Sequence, residues 1–129
     1  GNYYRTKDTS YVKDDVVLEV KNIEYGILKD VSFKLHRGEI LGLGGLTECG
    51  MHELCKIVFG AVKPKKGEVE LTENHVKITS PQTAIKNHIA YLPKDRDNES
   101  LFLMTSIKDN ITVASIDNLK TGPVITRKI

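Results

Sequence analysis

Gly50, Met51 and His52 close a glycine-rich stretch, Gly42-Leu43-Gly44-Gly45-Leu46-Thr47-Glu48-Cys49, where phosphate chemistry would be expected. The phosphate-loop pattern is glycine, four residues, glycine, lysine, then serine or threonine. Here it aligns as Gly45, Leu46, Thr47, Glu48, Cys49, Gly50, with Met51 in the lysine position and His52 in the hydroxyl position. Such a loop binds by presenting backbone N–H groups in a concave nest, aided by the positive end of the following helix. The lysine contacts the β- and γ-phosphates and the hydroxyl ligates magnesium. Met51 can do neither. A hydrogen bond to a charged group contributes about 1.5–3 kcal/mol, so losing the lysine weakens binding by roughly 10- to 150-fold. Glu48 adds a negative charge that a triphosphate does not favour. A glycine-rich turn between strand and helix also occurs in α/β proteins that bind no phosphate, with Met51 simply the first residue of a core stripe. A dinucleotide fingerprint starts at Gly42 and Gly44, but Thr47 breaks it.

Other chemistries find less support. His52-Glu53 begins the zinc-protease pattern, yet Lys56 stands where its second histidine is required. His36, His52, His75 and His88 show no metal-ligand spacing, and Cys49 and Cys55 make no disulfide framework, so a reduced intracellular setting is expected. Charge is nearly balanced at +2 with both signs interspersed, which argues against nucleic acid as a partner. Lys63, Lys65 and Lys66, around Pro64 and Gly67, read as a solvated turn. No apolar run approaches the roughly 20 residues of a membrane span, and no signal peptide is recognisable.

The elements that must position the loop follow from periodicity. Val16–Val20 is strand-like and ends near Tyr25-Gly26, while Val31, Phe33 and Leu35 alternate with polar residues as in a half-exposed strand. Arg37-Gly38 turns the chain into Ile40-Leu41-Gly42-Leu43, apolar on both faces as in a strand buried between layers. Met51, Leu54, Cys55, Val58 and Phe59 then form one helical stripe, stopped by Gly60. Residues 68–71 and 76–78 read as short strands. Ser80-Pro81 opens a short helix through about Asn87, Ile89–Leu92 is a further buried strand, and residues 95–100 are a charged loop. Ser106 is expected to cap a last helix carrying Ile107, Ile111 and Ala114, and the tail from Asp117 is weakly patterned.

Several segments in order resemble the ATP-binding cassette (ABC) proteins of bacterial sugar importers, whose polypeptide carries two cassettes in tandem. They are residues 17–23, 28–33 and 37–42, then Gly45-Leu46-Thr47, Glu53-Leu54, Phe59-Gly60-Ala61 and Gly67-Glu68-Val69. Residues 89–96 (Ile-Ala-Tyr-Leu-Pro-Lys-Asp-Arg) and 106–111 are similar to the second cassette in particular. The resemblance spans about residues 16–115. It implies an α/β fold: a fragment of a P-loop ABC-type nucleotide-binding domain, with an antiparallel β subdomain and the start of the P-loop core. Residues 1–15 would be an inter-domain linker or tail, and residues 16–129 a partial domain ending before the signature segment and the strand with the magnesium-binding and general-base carboxylates.

On this resemblance Tyr25 is the aromatic residue on which adenine stacks, although a tyrosine at a strand end also packs locally. Residues 45–52 are the phosphate loop, whose lysine is often arginine in second cassettes; at Met51 the charge is gone. Lys94 stands where the family has a glutamine or glutamate that contacts magnesium and water, and a lysine cannot ligate a metal; a surface salt bridge to Asp95 or Asp97 is its simpler role. The resemblance further implies ATP with magnesium as cofactors and either the first cassette of the same polypeptide or a second copy as partner. Permease subunits, an indirect sugar-binding protein and a peripheral place on the cytoplasmic face of the membrane follow likewise. Three functions stay open: a degenerate cassette that binds nucleotide weakly or statically, a hydrolytically competent site for sugar or nucleoside import, and a structural domain unrelated to nucleotides. Such a fragment is expected to expose the edges of a parallel sheet, with partial disorder at its ends or self-association.

Overall fold

The computed structural model describes residues 15–44, 48–92, 100–108, 110–117 and 126–128. In chain order the elements are β1 (Val16–Tyr25), β2 (Leu28–His36), β3 (Ile40–Gly44), α1 (Glu48–Val58), β4 (Lys66–Leu71) and β5 (Val76–Lys77). They continue with α2 (Pro81–Lys86), β6 (Ile89–Leu92), β7 (Ser100–Ile107), β8 (Asn110–Asp117) and β9 (Thr126–Lys128). Two sheets result. The first is antiparallel in the order β2-β1-β4-β5, and the second has the order β6-β8-β7-β3-β9.

The first sheet follows its side-chain alternation. Val31, Phe33 and Leu35 are buried in β2 while their neighbours Ser32 and Lys34 are exposed. In β1, Leu18, Val20 and Ile23 are buried, and the three-residue step from Val20 to Ile23 breaks period 2. A register shift there accommodates it, with Asn22 at φ 49°. The Asn22 backbone N–H donates to Ser32 Oγ at 2.8 Å, and its side-chain amide donates to Asp30 Oδ1 at 2.8 Å. Gly67 explains why β4 tolerates this bulge. At φ 90°, a Cβ placed on Gly67 would lie 2.3 Å from the Lys21 carbonyl oxygen and 2.4 Å from that of Asn22. Gly67, expected in a solvated turn, therefore lies within a strand against the bulge of its neighbour.

Helix α1 buries its expected stripe: Met51, Leu54, Cys55 and Val58 are in the core, and Phe59 packs against it. Ile57, off that stripe, is also buried. Gly60 ends the helix at φ 82°, with the Gly60 N–H donating to Ile57 O and the Ala61 N–H to Lys56 O, the paired bonds of a Schellman stop. A Cβ on Gly60 would come within 2.5 Å of the Ser80 carbonyl oxygen, so this stop also lets the chain before α2 pass close by. Ser80 caps α2 as expected, its Oγ accepting from the Thr83 N–H at 3.2 Å, with Pro81 first in the helix.

The second sheet corrects the sequence reading. The helix expected from Ser106 is instead the β7–β8 hairpin, paired from Ser100↔Asp117 to Ile107↔Asn110, with Lys108 at φ 52° in its two-residue connection. Ile107, Ile111 and Ala114 fit a helical stripe, but Met104, Ser106, Ile111 and Val113 also alternate and are buried, with Ala114 at the margin of burial; Ile107, which would belong to the helical stripe, is exposed. Pairing of β7 along β3, Ile40↔Thr105 through Leu43↔Phe102, decides between the two periods. The sheet is consequently mixed rather than parallel: β3 runs antiparallel to β7, while β6 is parallel to β8 and β9 parallel to β3. Strand β9 was not expected from the tail's pattern. One apolar cluster joins both sheets and α1, from Leu18 and Leu35 through Leu41 and Leu54 to Met104 and Val113.

Candidate nucleotide-phosphate site

Strand β3 ends at Gly44 and α1 begins at Glu48, so a strand and a helix stand on either side of the three residues between them, the flanks that a phosphate loop requires. Leu41 and Leu43 are fully buried and hold β3 between its neighbours; the buried α1 stripe holds the helix beside it. Gly45, Leu46 and Thr47, three of the expected loop residues, lie outside the described residues, as does Lys94. Glu48 is the first residue of α1 and Lys56 lies in its last turn, an arrangement favourable to the helix dipole.

The remaining loop positions are placed by α1. Cys49 is exposed, Gly50 is buried and His52 is half-buried. Met51, in the lysine position, is only 7% exposed and belongs to the apolar core. It therefore serves packing rather than presenting a polar group at the loop. Among the described residues no three His, Cys, Asp or Glu side chains gather to hold a metal ion.

Tyr25 ends β1, opposite Leu28 across the tight β1–β2 turn, and is half-buried against the core. The structure brings this turn to α1 through a residue the site reading passed over. A Cβ on Gly26, at φ 55°, would lie 3.1 Å from Glu53 Oε2 and 3.3 Å from Oε1, so the Glu53 carboxylate rests against the turn carrying Tyr25. The Cys49 thiol donates to Glu53 Oε1 at 3.9 Å. Glu53 Oε2 is buried and has no hydrogen-bond partner among the described residues. No local signal marks this contact, because Gly26 and Glu53 are distant in sequence and only the packing of α1 against the first sheet joins them.

The two cysteines differ sharply. Burial pushes the Cys55 thiol well above its ordinary range, so it behaves as an inert core residue, whereas Cys49 is accessible. Glu39 is fully buried at the start of β3, and its Oε1 accepts from the His36 backbone N–H at 2.9 Å with His36 Nδ1 3.2 Å away. These bonds secure the turn that feeds β3 and so set the direction from which the loop departs.

Known proteins agree with this arrangement. The ABC transporter family pattern matches residues 28–127. The chain is 46% identical over 103 residues to the ribose import ATP-binding protein RbsA of Lacticaseibacillus paracasei, covering 79% of this chain and 21% of that protein. It is 43% identical over 103 residues to the galactose/methyl galactoside import ATP-binding protein MglA 1 of Photobacterium profundum, again covering 79% of this chain and 21% of the relative. The chain thus spans about a fifth of the length of these curated relatives. Among solved structures, cbiO1 from Clostridium perfringens, part of the ABC transporter complex cbiONQ, matches with a TM-score of 0.52 at 24% identity. That match covers 67% of this chain and 38% of cbiO1, and it speaks for the fold. By the extent of the family match, the chain belongs to the ABC transporter family.

Proposed function

We propose that this chain is the nucleotide-binding start of a cassette in a sugar importer and that its phosphate loop is degenerate. The supporting observation is the burial of Met51: the side chain in the lysine position is a core member at 7% exposure. Gly45, Leu46, Thr47, Glu48, Cys49 and Gly50 would cradle phosphate oxygens with their backbone, Tyr25 would carry the adenine, and Met51 and His52 would add no charge or metal ligand. Lys94, at the position of the family's glutamine or glutamate, would ligate no metal. ATP then binds weakly or statically at this loop, and a second, competent site of the assembled transporter carries out hydrolysis. Cassettes of this family pair, so the partner is the first cassette of the same polypeptide or another copy. Permease subunits, fed by a sugar-binding protein, hold the pair at the cytoplasmic face of the membrane. Residues 1–15 connect to the preceding cassette, and residues 16–129 form the first part of this one. No described helix is long and apolar enough to cross a membrane, as befits a peripheral subunit.

Calorimetry tests this reading. ATP with magnesium is titrated into the unmodified chain and into a Met51→Lys, His52→Ser double variant whose thermal unfolding is checked in parallel. Restoration is expected to tighten binding by roughly 10- to 150-fold. A folded double variant that gains nothing would sink the degenerate-loop reading, as would tight magnesium-dependent binding by the unmodified chain.

A further inference from the structure

We infer that a cleft between the two sheets binds a small organic oxyanion. Lys86 and His88 hold its carboxylate or phosphate, and its carbon body lies against apolar wall. The cleft measures about 340 Å³, and none of its lining residues belongs to the phosphate loop. That volume falls in the range of small-molecule pockets, which favour junctions between structural units. Val17 of β1, Leu71 of β4 and Val76 of β5 supply apolar wall from the first sheet, and Ile111 of β8 supplies it from the second. Lys86, the last residue of α2, and His88 just beyond it line the polar side.

The polar groups around the cleft divide into those already engaged and those that are not. Arg37 Nε donates to Asp15 Oδ2 at 2.7 Å and Arg37 Nη2 lies 3.8 Å from Glu73 Oε2, so this cation and the Glu73 carboxylate offset each other. The Asn87 amide donates to the Thr83 carbonyl at 2.8 Å. Among the described residues no ion pair engages Lys86, and no side-chain hydrogen bond engages His88 or Asn74, which also lines the cleft. A cation suits the carbonyl end of a helix, which accounts for Lys86 but not for the imidazole beside it. His88 is held at φ 65°, a left-handed conformation that few residues with a side chain adopt, and its carbonyl accepts from the Ile111 N–H at 3.0 Å. That bond ties the end of α2 to β8 across the cleft. An ammonium has three donors and no acceptor, and an imidazole and an amide each add a donor. Such a set suits a negatively charged acceptor, with which it makes the stronger, charge-assisted bonds. A bare ion would leave the apolar wall uncovered, whereas a ligand with a carbon body covers it.

Phenyl phosphate, inorganic phosphate and benzyl alcohol separate the charge from the carbon body. Each is titrated into the isotope-labelled 129-residue chain and followed by amide NMR. Phenyl phosphate is expected to give saturable shifts at Asn74, Asn87 and His88, with an affinity about tenfold above that of either simpler probe. In Lys86→Gln that affinity falls about tenfold. Lys34→Gln removes the same charge from an exposed position on β2 and leaves it unchanged. Absence of saturable shifts with phenyl phosphate overturns the inference. Benzyl alcohol binding as tightly as phenyl phosphate also overturns it, by removing the need for the oxyanion. Equal losses in the two lysine variants do the same, by reducing the attraction to general charge. Shifts confined to residues 50–54 overturn the cleft site and place the oxyanion at the start of α1 instead. Failure of the nucleotide reading in calorimetry leaves the cleft untouched, so the two results are distinct.

Discussion

The two sheets of this chain are built from similar residues but owe their form to different causes. In the β2-β1-β4-β5 sheet, β1 and β2 are joined by a tight turn, and the buried positions can be read by alternation along each strand. In the β6-β8-β7-β3-β9 sheet, β3 lies between β7 and β9, both far from it in sequence, and β7 and β8 carry a pattern equally compatible with a helix. Where a strand carries a single period, as β2 does, periodicity names the structure; where a helical and a strand period coincide, as over residues 106–114, pairing along β3 chooses between them. Strand β3, which leads toward α1, belongs to that less locally determined region.

Truncating one core residue in each sheet is the strongest test of that contrast. Leu18 in β1 and Met104 in β7 are both fully buried. Leu18→Ala and Met104→Ala should each destabilise the chain by about 2–5 kcal/mol, measured by urea unfolding. A Met104→Ala variant as stable as the parent would mean that β7 does not complete the second sheet, and the helical reading of residues 106–114 would return.

Gly67→Ala sharpens the picture within the first sheet. The new Cβ meets the carbonyl oxygens of Lys21 and Asn22 at a positive φ, and these neighbours are backbone that cannot swing aside. Strain and overpacking together predict a loss of about 2–4 kcal/mol. Substitution without loss would show that the β1 bulge yields more readily than its packing implies.

The smallest expected effect is electrostatic. Lys21 Nζ lies 2.7 Å from Glu70 Oε1 across the β1–β4 pair, and this hydrogen bond holds the Glu70 carboxyl below its usual range. A carboxyl depressed in the folded state stabilises above its unfolded value, and that contribution is lost as pH falls through the folded value. Lys21→Met should move the Glu70 titration upward in an NMR pH series, because the hydrogen bond that lowers it is gone. An unmoved Glu70 titration would show that the ion pair is not maintained in solution.

The elements that flank the loop were legible in the residues themselves. The apolar run 40–43 and the α1 stripe announced a strand and a helix, and both are present. The Gly60 stop and the Ser80 cap were equally readable, because each depends on a few adjacent residues. Glu53 was not. Its contact with Gly26 arises where α1 packs against the β1–β2 turn, a juxtaposition that no short-range spacing records. The β7–β8 hairpin was misread because Ile107, Ile111 and Ala114 satisfy a helical period while the buried set satisfies a strand period.

The amino-acid sequence alone determined the alternation of β2 in the first sheet, the amphipathic helix and the apolar character of Met51 within it, since each is written in side-chain type and local spacing. Tertiary structure decided which strands flank β3, which residue meets the Tyr25 turn and why Gly67 must lack a side chain. The physical reason is that backbone hydrogen bonds and close approaches between distant segments depend on the surfaces available once the core has formed, and those surfaces exist only in three dimensions.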